Sequence, residues 1–235
     1  VTPRFRKYLF ETLYKNKYLY RFASTVPFAG QWRVWQRLVL SRLKGHDVLE
    51  LGCGLGDLLA DMSAEGYDCQ GIDASPAMVA ATRETLRRQK VADKISVILG
   101  TAQHLPFSDN SFDTVVSTFP SEYIYDSDTI AEVARVLRPG GRLIVIEGAN
   151  LLPTGFFQPL LLILQMFVYG PSALFGSRKE RVRGKEDPKT GCITEEITNA
   201  WFGQHIPLEQ NDLKRRSERV RSHRWEVYIT MGEKT

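Results

Sequence analysis

Apolar residues recur along this chain in two rhythms, and the change between them falls near residue 46. Over residues 4–25, Phe5, Tyr8, Leu9, Phe10, Leu13, Tyr14, Tyr18, Leu19 and Phe22 stand at helix-compatible spacing among basic residues. That pattern predicts a helix, and a second is predicted from about Gly30 to Leu43. From Asp47 onward, short apolar runs alternate with longer amphipathic stretches, the signature of strand–helix units around a parallel sheet. Strands are predicted near 47–51, 68–72, 95–99, 112–117 and 142–147, and helices near 56–65, 76–90, 127–137 and 155–169. Asp109-Asn110 makes the turn before the fourth strand, and Pro139-Gly140-Gly141 ends the helix before the fifth. Trp225 to Met231 alternates as a half-buried strand, with Leu213 to Val220 as its antiparallel partner.

The stretch Gly148–Ser177 carries no charged residue. Pro153, Gly155, Pro159, Gly170 and Pro171 cut its helix-compatible part to Leu160–Tyr169, well short of the ~20 residues that span a bilayer. Leu160 to Leu164 with Met166, Phe167 and Val168 is apolar on nearly every face, so both sides of such a helix should be covered. A buried crossover helix and a functional apolar surface (substrate pocket, membrane face or dimer interface) are equally good readings.

Candidate chemistry concentrates where the first strand ends. Asp47-Val48-Leu49-Glu50-Leu51 runs into Gly52-Cys53-Gly54-Leu55-Gly56-Asp57. A glycine turn between a strand and a helix is where open α/β sheets bind nucleotide-like ligands. A dinucleotide fingerprint is G-x-G-x-x-G; here the third glycine comes one residue early, and Glu50 precedes the first. A carboxylate at the turn suits an ammonium or hydroxyls better than a pyrophosphate. Asp73, at the end of the second predicted strand, is placed to accept both hydroxyls of a ribose. The ligand is therefore expected to be nucleoside-like and positively charged.

Four ordered blocks carry a family resemblance over roughly residues 45–150: Glu50 to Gly56; Gly71-Ile72-Asp73-Ala74-Ser75-Pro76-Ala77-Met78; Gly100 to Phe107 with Ser111 to Ser117; and Val136 to Leu143. In these the chain resembles class I S-adenosylmethionine-dependent methyltransferases of the small-molecule type that includes the ubiquinone/menaquinone C-methyltransferases. The resemblance implies an α/β fold: a Rossmann-like seven-stranded sheet, mostly parallel with the last strand antiparallel, helices on both faces and an N-terminal helical lid. It also implies one domain over 1–235, with a cap at 1–45, a cofactor-binding core at 46–150, and an apolar crossover with closing strands at 151–235. S-adenosyl-L-methionine is the implied cofactor. Gly52, Cys53, Gly54 and Gly56 would pass close to its methionine part, Glu50 would bind its amino group, and Asp73 with Ala74 would meet the ribose. Met78 would lie on the adenine face (though a helical methionine is commonly core), Thr101 and Ala102 would border adenine, and Ser117 and Thr118 would face the methyl donor. Many relatives carry Asp where Thr101 stands.

No metal site and no single base stand out. His104, Glu122, Tyr123 and His205 are candidates, needed only if the acceptor must lose a proton. Cys53, Cys69 and Cys192 form no CxxC pair or disulfide framework, which suits a reducing compartment and a cytoplasmic location; no secretory signal is recognised at the first residues. The net charge is +4, but residues 1–46 hold ten basic residues against Glu11 alone. That asymmetry fits either an anionic surface or a solvated helical face. The expected activity is methyl transfer to a small, lipophilic acceptor, with peripheral membrane contact. One alternative is a nucleic-acid (RNA) methyltransferase using Lys214, Arg215, Arg216, Arg219, Arg221 and Arg224 for phosphate contacts, but the sequence lacks the motifs of base methylation. The other is a non-catalytic cofactor-binding protein. Phe119 to Asp126 departs from the quinone-family pattern after the fourth strand.

Overall fold

The computed structural model describes residues 21, 28, 30–152, 184–186, 191–197 and 205–235. The predicted helix at 4–25, and with it the N-terminal lid, lies outside these residues except for Arg21. The predicted helix at 155–169 lies outside them too.

The centre is one sheet of nine strands in the order β3-β2-β1-β4-β5-β9-β8-β7-β6. β1 (Asp47–Leu51), β2 (Asp68–Asp73), β3 (Ser96–Leu99), β4 (Phe112–Thr118) and β5 (Leu137–Leu151) run parallel to one another. β9 (Trp225–Lys234) joins β5 antiparallel, and β8 (Leu213–Arg221) joins β9 as the sequence pattern foresees. The expectation of seven strands needs correction. The short pair β6 (Lys185–Glu186) and β7 (Ile193–Ile197) extends the edge beyond β8, so four antiparallel pairings run from β5 to that edge, not one at the last strand alone. β7 carries Thr194-Glu195-Glu196 among its five residues; a strand so polar gives little apolar alternation to detect.

β1 is buried over Val48–Leu51, as expected of a parallel strand covered on both faces. Alternate residues divide the core into two layers. Val48, Val116, Ile144 and Ile146 pack on one face with Trp35, Leu58 and Leu59. Leu49, Val115, Leu143 and Val145 pack on the other with Ile130, Val133 and Ile206.

Helix starts follow local capping chemistry. α1 (Trp32–Gln36) passes directly into a 3₁₀ segment, Arg37–Arg42, where one continuous helix was predicted. There the Leu38 carbonyl accepts from Ser41 Oγ (3.4 Å) and Arg42 Nη1 (2.6 Å); side chains bonding to backbone in this way compete with α-helical pairing. α2 (Asp57–Ala64) starts after Gly56, whose φ is 74°. α3 (Pro76–Arg88) has Ser75 as cap and Pro76 at its first turn, two favoured start residues. α4 (Ser127–Val136) is capped by Asp126, whose carboxylate accepts from the Asp128 amide. Among the described residues, no helix is long and apolar enough to cross a membrane.

At the edge opposite the strands' carboxyl ends, Asp113 fixes the entry to β1. It accepts from the amides of His46 (2.8 Å) and Asp47 (3.0 Å) and from Arg138 (2.8 Å), which also reaches Asp47 (2.6 Å). Partial burial pushes the Asp113 carboxyl up, but the Arg138 guanidinium and the two amides together hold it below its ordinary value. A depressed carboxylate contributes stability above its unfolded value, about 3.9, and loses it as pH falls through the folded value. Asp113→Asn is therefore expected to cost about 1.5–3 kcal/mol at pH 7, with the gap to wild type closing in acid. Urea unfolding at neutral pH and below pH ~4 checks both parts.

Candidate active site

The loop between β1 and α2 is held in place before any ligand arrives. The Gly52 amide donates to Ile72 O at 2.8 Å, and the Gly56 amide to Cys53 O at 2.9 Å. Gly52, Gly54 and Gly56 all have positive φ, at 67°, 54° and 74°. Space is as restrictive as dihedral angle: a Cβ on Gly56 would lie 2.5 Å from Thr82 Cγ2, and one on Gly52 would lie 2.8 Å from Tyr123 Oη. Thr82, on α3, donates its hydroxyl to Gly54 O at 2.7 Å. The loop is thus clamped between β2, α3 and the turn after β4.

Asp73 closes this clamp. Its Oδ2 accepts from the Gly54 amide (2.9 Å) and its Oδ1 from the Ser75 amide (2.8 Å). Burial pushes the Asp73 carboxyl up and the two amides pull it back, leaving it above its ordinary value. Each oxygen keeps a lone-pair direction for a further donor, so the geometry still allows paired hydroxyls to be accepted. The Gly100 amide donates to Asp73 O at 3.1 Å, which sets Thr101 and Ala102 beside the same strand end. Thr101 and Ala74 are exposed, and Ala102 is half-buried. Met78 is fully buried in the first turn of α3 and offers no accessible surface to a ligand.

Glu50 is the most unusual group in the site. It is 1% exposed, and its Oε2 has no hydrogen-bond partner. Burial pushes its carboxyl well above the usual carboxylate range and Asp73 adds to the rise, while the Arg33 guanidinium opposes it. An unpaired buried carboxylate is costly, and a bound ammonium would satisfy it. The residues therefore fit the amino-acid end and the ribose of S-adenosylmethionine, on the orphaned Glu50 oxygen and the geometry of Asp73.

A cavity of about 160 Å³ opens over the loop, lined by Gly52 to Asp57 and Thr118 from the core, and by Arg21, Gly30, Trp32, Arg33 and Gln36 from the N-terminal side. Gln36 Nε2 donates to Thr118 Oγ1 at 3.1 Å. Trp32 stacks on Phe119, with centroids 4.0 Å apart and planes at 30°. Phe119 holds a left-handed φ of 51°, a conformation costing about 1–3 kcal/mol for a residue of its kind. Its amide donates to Ile146 O at 2.8 Å, and the stack joins it to α1.

The predicted residues thus divide. Cys53, the three glycines and Thr118 line the cavity. Ser117 is fully buried, its hydroxyl 2.7 Å from Tyr123 Oη and 3.4 Å from Leu51 O. Tyr123 Oη also donates to Leu51 O at 3.2 Å, so this pair braces the strand end below Gly52 instead of facing a methyl donor. His104 and Glu122 are exposed outside the cavity lining, and His205 is exposed beside Glu209 at 3.3 Å. Trp32, Arg33 and Gln36 went unassigned in the sequence; the basic–aromatic spacing there signals a helix, not which face meets the loop. Cys53 and Cys69 are buried free thiols, and burial pushes Cys69 up to about 12. Among the described residues, His46, Asp47 and Asp68 bring metal-ligating atoms within 4.8 Å of one another, but at the surface, with Asp47 already paired to Arg138.

Residues 49–145, which hold most of strands β1 to β5 with their helices, match the family model of a methyltransferase domain. Among curated proteins the chain is 34% identical over 149 residues to a demethylmenaquinone methyltransferase of Symbiobacterium thermophilum, covering 60% of this chain and 58% of that one. It is 37% identical over 125 residues to a ubiquinone/menaquinone biosynthesis C-methyltransferase of Haemophilus ducreyi, covering 50% of this chain and 48% of that one. It thus spans about half the length of these relatives. Among solved structures, the PH0226 protein of Pyrococcus horikoshii superposes with a TM-score of 0.56 at 19% identity, over 91% of this chain and 93% of that one. That likeness is one of fold.

Glu50 gives a test of the site in the ligand-free protein. Its folded value is raised, so its contribution to stability is complete below the unfolded value, about 4.3, and is lost as pH rises through the folded value. Glu50→Gln is expected to raise the thermal midpoint at neutral pH, with the advantage vanishing in acid. Scanning calorimetry across pH checks this, and an unchanged midpoint at pH 7 would contradict the burial of an unsatisfied charge.

Proposed function

We propose that the protein is an S-adenosylmethionine-dependent methyltransferase acting on a small, lipophilic acceptor. The observation that carries the reading is the orphaned, buried Glu50 carboxylate beside a glycine loop pinned to Asp73. A sulfonium, an ammonium and a ribose diol occur together in that cofactor, which supplies an electrophilic methyl when bound. Transfer is an in-line displacement, so the chain's task is mainly alignment, for which fixed geometry can supply ~7–11 kcal/mol of the barrier. Asp73 would hold the ribose end and Glu50 the ammonium. Thr118 and Gln36, bonded to each other across the cavity, would close the space over the loop and limit water.

The relatives named for quinone methylation support a lipophilic acceptor, and the uncharged stretch Gly148–Ser177 supports one taken from a membrane surface. We read the protein as cytoplasmic, with peripheral membrane contact of that kind. Nucleic acid is disfavoured by the state of the basic cluster on β8. Arg215 pairs with Glu209 (2.7 Å), Arg216 with Glu196 (3.7 Å), and Arg219 with Glu195. Guanidiniums already neutralised on one strand add little to phosphate attraction.

Asp73→Ala should weaken S-adenosylhomocysteine binding by about ten- to a hundredfold, the loss expected for hydrogen bonds to a charged acceptor. Calorimetry measures this, and unchanged affinity would overturn the site. Incubation with methyl-labelled cofactor and a lipid extract then tests catalysis: label in the organic phase is expected, and binding without any transfer would favour a non-catalytic protein.

A further inference from the structure

Resting on the cofactor reading above, we propose that Arg33 binds the carboxylate of the cofactor's amino-acid end, making α1 part of the cofactor site. Two buried polar atoms of opposite charge stand unsatisfied here, one on Arg33, which lines the cavity, and one on Glu50 at the end of β1 beneath the glycine loop. Glu50 Oε2 is buried without a partner, and so is Arg33 Nη1. Their charges interact, since the guanidinium works against the rise of the Glu50 carboxyl, yet neither orphan atom is satisfied by the other. A ligand carrying an ammonium and a carboxylate on one carbon would satisfy both, and a free α-amino acid group is that ligand.

Arg33 is also held in place for the task. Its Nη2 donates to Asp61 Oδ2 at 2.7 Å, and Arg37 Nη1 reaches the same oxygen at 3.1 Å. Asp61 is therefore shared between two guanidiniums, and Arg37 also reaches Glu65 at 4.0 Å. The guanidinium is planar with donors on both terminal nitrogens; Nη2 is taken by α2, and Nη1 is left free at a wall of the same cavity. Flanking contacts fix the helix that carries it: Trp32 stacks on Phe119, and Gln36 bonds to Thr118. A carboxylate on Arg33 would thus tie α1 to the ligand whose other end lies on the core.

Calorimetry with three ligands separates this from a general loss of binding: S-adenosylhomocysteine, its decarboxylated amine analogue, and 5′-methylthioadenosine, which lacks the amino-acid end. Wild type should prefer S-adenosylhomocysteine to the decarboxylated analogue by about tenfold or more, as expected for a buried charge pair. Arg33→Gln should abolish that preference while leaving 5′-methylthioadenosine binding unchanged, and Arg33→Lys should restore part of it. Retention of the preference in Arg33→Gln, or an equal loss for all three ligands, would overturn the proposal. Failure of wild type to bind S-adenosylhomocysteine at all would instead overturn the cofactor reading itself.

Discussion

The carboxylate of Asp73 joins two turns that would otherwise be independent. One oxygen takes the amide of Gly54 in the first βα turn, and the other takes the amide of Ser75 in the second. Without that bridge, three successive glycines with positive φ would have little to favour one conformation over the many that glycine permits. The rest of the site inherits its geometry from this contact. Thr82 can donate to Gly54 O only if the loop lies against α3, and Tyr123 can brace Leu51 only if Gly52 leaves room for its hydroxyl. The residue expected to read the ribose therefore also builds the surface on which the ribose would rest.

Much of this was legible in the sequence because parallel strands buried on both faces read as short apolar runs. β1 to β4 and the closing pair β8 and β9 fall where the pattern puts them, while β5 runs longer, over Leu137–Leu151, and takes in the Pro139-Gly140-Gly141 expected as a turn. Other features left no such trace. β6 and β7 are short, polar edge strands fixed by pairing with β8, so register against a neighbour, not periodicity, defines them. The break between α1 and its 3₁₀ continuation depends on Ser41 and Arg42 turning back to one carbonyl, a choice helix propensity does not encode.

The candidate site divides along the same line. Motif spacing singled out Glu50, the glycines, Asp73 and Thr118, and the fold gathers them at neighbouring strand ends because a strand end followed by a turn fixes the backbone. It misassigned Ser117, which sits one residue before Thr118 and so points to the opposite face of the sheet, where Tyr123 takes it up. It left Arg33 and Trp32 unassigned because their role depends on how a five-residue helix docks against the end of β4. Side chains that meet a site from a separate element cannot be placed by spacing within the motif.

Buried charge governs how α1 and its 3₁₀ continuation meet the core. The core presents Glu50, Asp57, Asp61 and Asp73 near one turn, and the last three each raise the cost of ionising Glu50. α1 and its continuation answer with Arg33 and Arg37 on Asp61, and Arg21 stands 3.7 Å from Asp57. The answer is incomplete by one buried atom on each side: a carboxylate oxygen of Glu50 and a guanidinium nitrogen of Arg33. Closing that pair directly would stabilise the protein and remove the place where a charged ligand could enter. On the cofactor reading proposed above, keeping both atoms unsatisfied would exchange stability for affinity, a compromise typical of binding sites. On the same reading, a ligand bearing both charges would join α1 to the core more completely than their own contacts do.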